Sequence, residues 1–460
     1  MSSRVRDLVG RGRGLLDGGS LRGKIFRNVG WMAIALGSEL LIRLVSSVIL
    51  TRLLDPDAYG LISTVMVLMV FVAMLSDLGI RPMVLADTRG DDADFLSILW
   101  TMQALRGVVI AVVVALLSLL WMHALAAHWI APTSNYGNPL LPQLSLLISL
   151  SLVLAGFSSL NEFRLIRHLE RGAITALDVG TRLITTMITI GLAFAFRSVW
   201  AMALGMIFSS ALRMLLSHVV LNGPRMALSF DWPEIKRILT TSRWVALNSF
   251  MTMTAAQADK ILIGFSFGMG TLGVYTVAFT LYSAAAGVVN QLNSNLGIPV
   301  IRALLDKPAE ERFRAYYRFR LPIDLYCMAA GTFMVLFGGL FFQLVYDPRY
   351  QAGGIYFALL GIKIVLTPLH LSGNFLYAQL RYKLVSLIGA IRSVLFLVGM
   401  GIAAWLGSIH LMVVFIALEQ VPEIILYFSL RRTGIPFRVK RDGLLLALAA
   451  TLCLYLLLMG

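Results

Sequence analysis

The sequence predicts an all-α polytopic membrane protein, with two six-helix lobes related as a parallel repeat and one extra C-terminal helix. Three observations carry this. Of 460 residues, 58% are hydrophobic and 14% charged, with a mean hydropathy of +0.82, whereas a soluble domain carries about 25% charged residues. Thirteen apolar runs approach or exceed the roughly 20 residues needed to cross a bilayer core. The basic residues between the runs alternate in abundance along the chain, as they do where Lys- and Arg-rich loops stay in the cytoplasm. A net charge of +15 would suggest nucleic acid in a soluble protein. Here its distribution matters more than its sum, and no nucleic-acid partner is expected.

Taken in order, residues 1–27 are basic and Gly-rich and read as an uncleaved cytoplasmic tail. The run that follows is too long for a signal peptide and carries Glu39 and Arg43. The spans fall at about 30–50, 60–82, 97–121, 141–161, 173–196, 199–220, 242–267, 271–299, 321–345, 352–379, 383–406, 410–430 and 442–459. The first two are joined by a polar turn, Asp55-Pro56-Asp57-Ala58-Tyr59-Gly60, which Pro56 and Gly60 punctuate. Residues 28–221 form an N-lobe of spans 1–6, and 222–241 a cytoplasmic linker. Residues 242–430 form a C-lobe of spans 7–12, and 431–460 a basic loop with span 13.

Within the linker, Phe230–Thr241 reads as a short amphipathic helix lying on the membrane, with Pro233 near its first turn, where proline is tolerated. With the N-terminus in the cytoplasm, the inside segments hold 29 Lys and Arg, and the outside ones three: Arg52, Arg197 and Arg349. The remaining seven of 39 lie within spans. The longest outside loop, Met122–Leu140, has no Lys, Arg, Asp or Glu, and Trp121, Trp129 and Tyr136 fit an interfacial belt. Cys327 and Cys453 lie in apolar runs and read as small hydrophobes rather than a disulfide. The six histidines show no ligand spacing, so no metal, organic cofactor or catalytic constellation is expected, and the chain reads as a transporter rather than an enzyme.

The two lobes carry a trace of duplication. Arg52–Leu75 and Phe265–Val288 each place a short turn ending in an aromatic or Leu followed by Gly (Tyr59-Gly60, Leu272-Gly273) before a long apolar helix. Six spans is an even number, so the repeats share one orientation, and parallel repeats meeting at a central cavity are a common transporter plan.

These turn motifs also carry a resemblance. T-R-L-L-D-P-D-A-Y-G-L at 51–61, S-D-L-G-I at 76–80, A-D-K-I-L-I-G at 258–264 and L-G-V-Y-T-V-A at 272–278, with the basic Arg312–Arg320 loop, resemble bacterial polysaccharide transporters. These are the Wzx-type oligosaccharide (O-unit) flippases of the multidrug/oligosaccharidyl-lipid/polysaccharide superfamily. The resemblance covers most of the chain and implies a V-shaped two-lobe fold. It also implies translocation of an undecaprenyl-diphosphate-linked oligosaccharide across the bacterial inner membrane by alternating access, for exopolysaccharide or O-antigen assembly. Membrane lipids and a polysaccharide polymerase or export complex are the partners it suggests. Such transporters commonly have twelve or fourteen spans, so the thirteenth reads as an appendage or marks a missing fourteenth.

Charges inside the spans nominate the site, because an ionised group facing lipid costs roughly 2.5–3.5 kcal/mol on insertion scales. Glu39–Arg43, Asp77–Arg81 and Asp178–Arg182 place an acid four residues before a base, on one face if each stretch is helical. Each is read either as a self-neutralised pair or as a pair that releases one member to substrate. Arg106, Arg213, Lys363 and Arg392 lack an acid at such spacing. Counting a rise of 1.5 Å per residue puts Arg43 and Lys363 roughly 18 Å deep, and Arg106 and Arg392 roughly 12–14 Å from the inner face; Arg213 lies near an inner end and is read as snorkelling. Arg43, Arg81, Arg106, Lys260, Lys363 and Arg392 are therefore the candidate cations for a diphosphate.

Asn290, Asn293 and Ser294 would share a face of the eighth span, either contacting sugar hydroxyls or joining helices. Glu39, Asp77, Asp259, Glu419 and Glu423 are candidates for coupling to a proton or sodium gradient; the last two flank Pro422. Glu419 and Glu423 are read alternatively as neutralising bases on neighbouring helices, and His370 as a packed histidine. Competing readings are a lipid II flippase, which the same cations would serve, and a drug or organic-cation exporter, whose cavity should be acidic. A membrane polysaccharide polymerase or ligase needs a larger outside domain than the Met122–Leu140 loop.

Overall fold

The computed structural model describes residues 21–131, 134–168, 170–293, 297–305, 307–379, 381–429 and 438–459; most of these residues are helical, with no strand among them. Residues 1–20 of the expected tail, Ser294 of the polar run and most of the last basic loop lie outside them. The chain divides into two compact units. One comprises residues up to Ser46 with Thr64–Ala256, the other Ser47–Ser63 with Gln257–Gly460.

The first unit contains most of α1 (Leu21–Leu53) and α2 (Pro56–Leu75), then α3 (Ile80–Ala86), α4 (Ala93–Ala126), α5 (Leu140–Gly156), α6 (Asn161–Arg167), α7 (Arg171–Phe196), α8 (Trp200–Val220) and the start of α9 (Trp232–Leu292). Asp92 caps α4, accepting from the Phe95 N–H. Helices α5 and α6 meet at 54°. The break is held by side chains of α4, where Gln103 donates to the carbonyls of Gly156 and Ser158 and Trp100 to that of Phe157. Those donors satisfy carbonyls that a continuous helix would have used itself.

The second unit contains the rest of α9, then α10 (Ile298–Leu304), α11 (Ala309–Val345), α12 (Gly353–His370), α13 (Asn374–Ala378), α14 (Tyr382–Trp405), α15 (Ile409–Ala417), α16 (Val421–Ser429) and α17 (Val439–Met459). Helices α11 and α12 cross at Gly331 and Gly361, where a Cβ on either would press within 2.8 Å of the other's carbonyl oxygen. Small residues at such crossings let backbones approach where no hydrophobic force drives helices together. Cys327 and Cys453 are both free thiols.

Among the described residues, ten helices are long and apolar enough to cross a membrane, or eleven if α5 and α6 count as one broken span. Two of the thirteen expected spans, 242–267 and 271–299, share α9, a helix of 61 residues interrupted at Gly268. Gly268 has φ 87° and ψ 171°, a region essentially closed to residues with a Cβ. Helix α17 covers the expected thirteenth span and opens on Lys440, Arg441 and Asp442, but it is not among those ten.

The linker helix is not a separate element. From Trp232 it continues into the seventh span without a break, because no Gly or Pro interrupts the chain between Pro233 and Gly264. Its start is tied down by charge: Arg89 donates to Glu234 at 2.8 Å, and Arg237 donates to Glu234 at 2.6 Å. The Arg237 and Arg89 guanidiniums hold the Glu234 carboxyl below the usual carboxylate range.

In the second unit the two repeat motifs meet as helices rather than turns: Gly60 lies in α2 and Gly273 in α9, and the polar turn expected over Asp55–Gly60 is reduced to Leu54 and Asp55. A Cβ on Gly60 would strike the carbonyl of Met269, and one on Gly273 would strike that of Pro56. Each glycine thus faces the residue four before the other, a reciprocity expected of duplicated segments. Gly60→Val or Gly273→Val is expected to cost at least about 1–3 kcal/mol, because backbone rather than a movable side chain must give way. Unfolding of the detergent-solubilised protein should shift down by several degrees. Gly287→Ala, which meets nothing within 4 Å, should leave the curve in place; equal curves for all three would remove the packing argument.

Candidate functional site

The charges within the spans collect into clusters, and each cluster lies within one unit. In the first unit Glu39 is gripped twice, by Arg43 at 2.6 Å and by Arg182 at 2.8 Å. Glu39–Arg43 is the one intrahelical pair of the three expected that forms, and it carries a second arginine. Asp178–Arg182 does not form: Asp178 pairs with Arg213, whose other arm binds Glu162 at 2.8 Å. Four residues of separation places two groups on one face but does not prevent each from finding a closer partner on a packed neighbour. Arg213 is therefore bound to two carboxylates and is not the snorkelling residue expected.

Asp77–Arg81 fails for another reason. Helix α2 ends at Leu75, and Gly79 takes φ 65°, so residues 77 and 81 share no helix. Asp77 accepts from the Gly79 N–H at 3.0 Å and from the Ser249 hydroxyl at 2.7 Å. Arg81 is exposed on α3. Arg106 donates to the Ala73 carbonyl at 2.7 Å and the Ser76 hydroxyl at 3.3 Å, and no carboxylate pairs with it among the described residues. Helix α4 has 34 residues, about 51 Å at 1.5 Å each, and so overruns a hydrocarbon core of about 30 Å. Arg106 meets the end of α2, at Ala73, and the residue just after it, Ser76.

In the second unit Lys363 and Arg392, which lack an acid at helical spacing, find acids on α16 and the turn before it. Lys363 donates to Glu419 at 2.5 Å, and Arg392 to Glu423 at 2.9 Å. The Tyr427 hydroxyl donates to Glu423, and His370 Nδ1 lies 2.9 Å from it. His370 is thus part of this charged cluster rather than packed among apolar groups. Pro422 explains why both glutamates are presented together: α15 stops at Ala417 and α16 begins at Val421, leaving Glu419 in the turn. Glu419 and Glu423 accept from bases on neighbouring helices, as the neutralising reading of the sequence expects.

Nearer the Gly268 break, Asp259 is buried and accepts from the Tyr275 hydroxyl at 2.6 Å, while its other carboxylate oxygen has no hydrogen-bond partner among the described residues. Lys260 donates to Gln257 at 2.8 Å and lies 4.9 Å from the Phe279 ring centre. Of the polar run, Asn290 is exposed. Asn293 enters a π-helical turn and accepts from Asn374 at 2.5 Å, joining two segments.

A further cluster escaped the sequence reading. Arg320, 0% exposed, donates to Asp324 at 2.8 Å and to Asp442 of α17. The base precedes the acid, and Arg320 ends the basic Arg312–Arg320 stretch in sequence. The Arg-x-x-x-Asp spacing was the available signal.

A family model described as polysaccharide biosynthesis protein matches residues 49–353, about two thirds of the chain. The chain belongs to the polysaccharide biosynthesis protein family. A curated relative, the lipopolysaccharide biosynthesis protein WzxC of Escherichia coli (strain K12), is 22% identical over 412 residues, covering 89% of this chain and 81% of its own length. Among solved structures, the lipid II flippase MurJ in an inward closed conformation aligns with a TM-score of 0.68 and 13% identity, over 93% of this chain and 91% of its own. An inward-facing multidrug resistance MATE family transporter of the MOP superfamily aligns with a TM-score of 0.56 and 14% identity, over 86% of this chain and 94% of its own. This polysaccharide biosynthesis protein therefore has the polytopic helical fold of MOP-superfamily transporters.

Proposed function

We propose that this protein is a bacterial inner-membrane flippase. It moves an undecaprenyl-diphosphate-linked oligosaccharide from the cytoplasmic to the periplasmic leaflet by alternating access, with its N-terminus in the cytoplasm, and works beside a polysaccharide polymerase or export complex. The observation that carries the reading is the family match together with WzxC along most of the chain. The Glu39–Arg43–Arg182 triad supports it: one acid between two guanidiniums leaves a net positive charge. A diphosphate is the group that a guanidinium fork binds in two places at once.

Coupling is the second half of the proposal. Asp259 is the carboxylate best placed to take up a proton or sodium ion, because it is buried with one oxygen still lacking a hydrogen-bond partner among the described residues. Glu39, Asp77, Glu419 and Glu423 already accept from bases or local donors. The full chain in vesicles should move an undecaprenyl-diphosphate oligosaccharide, read by access of an added glycosidase, and move lipid II and a cationic dye more slowly. Faster transport of either competitor would overturn the substrate assignment. Collapsing the proton or the sodium gradient should slow transport, and Asp259→Asn should remove that sensitivity. Rates that match the gradient-free rate in every condition would remove the coupling.

A further inference from the structure

Beside the end of α2, the first unit holds a cavity of about 510 Å³ between α2, α4 and the start of α9. Its walls are almost wholly apolar, and Leu105, Val109, Phe230, Trp232 and Leu239 on them are exposed. Two charged side chains also line it, Arg106 and Asp77. Each is anchored locally: Arg106 through Nη2 to Ala73 and Nε to Ser76, Asp77 to Gly79 and Ser249. Arg106 Nη1 has no hydrogen-bond partner among the described residues, and the two charges do not pair with each other. One cavity thus presents an apolar wall with a separate cation and anion at its polar end.

Helix α2 has 20 residues, about 30 Å, which matches one hydrocarbon core. If α2 spans that core end to end, its last turn, where Arg106 binds, lies at the boundary between acyl chains and headgroups. Exposed Phe230 and Trp232 suit that same level, where aromatic belts form.

We infer that this cavity binds one membrane phospholipid with a phosphoethanolamine headgroup, its phosphate on Arg106, its primary ammonium toward Asp77 and its acyl chains along Leu105 and Val109. The charge pattern selects among headgroups. An anionic glycerol headgroup would satisfy Arg106 but leave Asp77 facing a net negative ligand. A choline headgroup carries the positive charge, yet its methylated nitrogen has no proton to donate to a carboxylate. A primary ammonium donates three. The orientation proposed above decides only that the lipid comes from the cytoplasmic leaflet; binding itself can be read without transport and without orientation.

The test is native mass spectrometry of the full chain, delipidated and offered equimolar phosphatidylethanolamine, phosphatidylglycerol and phosphatidylcholine. Phosphatidylethanolamine should be retained roughly tenfold over either competitor, the worth of one hydrogen bond to a charged group. Arg106→Gln should lower retention of all three phosphates. Asp77→Asn should lower phosphatidylethanolamine alone and raise phosphatidylglycerol relative to it. Leu105→Trp keeps both charges and fills the exposed wall; it should abolish the preference while leaving the unfolding temperature unchanged, which separates loss of the site from loss of the fold. Equal retention of the three lipids by the unmodified chain, or a preference for phosphatidylglycerol, overturns the inference. So does an Asp77→Asn protein with an unaltered ratio.

Discussion

Arg320→Ala is expected to leave little folded protein in the membrane. The Arg320 guanidinium is wholly buried between Asp324, itself nearly buried, and Asp442, 1% exposed. Asp442 also accepts from the Tyr317 hydroxyl and from the Arg438 N–H at 2.7 Å, and Arg441 donates to the Tyr317 carbonyl at 2.9 Å. The rings of Tyr317 and Tyr316 lie 4.8 and 5.6 Å from the guanidinium carbon. These contacts bind the first turn of α17 to α11, so the last helix is clamped to the second unit rather than loosely appended to it. Removing the arginine strands two buried carboxylates at once, and breaking a buried pair costs about 3–5 kcal/mol, a large part of the stability of an ordinary domain. Asp442→Ala leaves Arg320 with Asp324 and should cost less, with α17 becoming the first segment open to protease. Replacing Arg320, Asp324 and Asp442 together by Met, Leu and Leu should recover part of the loss, since no orphan charge remains. Unfolding temperature in detergent and limited proteolysis read all three. An Arg320→Ala protein that unfolds at the parental temperature would show that the cluster contributes nothing net.

What the sequence made legible divides along a physical line. Apolar runs are local matters of hydropathy, and the helices follow them, although α2 already begins at Pro56, so that Pro56–Gly60 is its first turn rather than a connecting loop. Partner choice is not local. Lys363 and Glu419 lie 56 residues apart, and Asp178 prefers Arg213 on α8 to Arg182 on its own helix, because helix packing decides which groups meet. The Asp77–Arg81 error had a visible warning: a helix through Ser76-Asp77-Leu78-Gly79 includes the residue most ready to leave it. How far a helix projects beyond the membrane is not local either: α4 runs for 34 residues, more than a hydrocarbon core needs. Only Glu39–Arg43 was found with its partner correctly named, and even there Arg182 was unforeseen.

That third residue sharpens the strongest functional prediction. Arg43→Ala is expected to lower polymer export roughly ten- to a hundredfold while the protein remains folded and inserted. Were Arg43 present only to neutralise Glu39, its loss would be harmless, because Arg182 still holds Glu39 at 2.8 Å. If Arg43 grips the substrate diphosphate, the same substitution removes a charged, bidentate contact worth about 1.5–3 kcal/mol, and transport falls roughly ten- to a hundredfold. Arg43→Lys keeps the charge and loses the fork, so it should retain partial activity. Arg182→Ala is the control for net charge: it leaves the neutral Glu39–Arg43 pair, the same sum as Arg43→Ala. Equal losses in the two would mean that only the charge of the triad matters. A larger loss for Arg43→Ala assigns the contact to that guanidinium. Export in a strain lacking the chromosomal copy, normalised to membrane protein level, makes the comparison, and an Arg43→Ala protein exporting at the full rate would exclude Arg43 from the site.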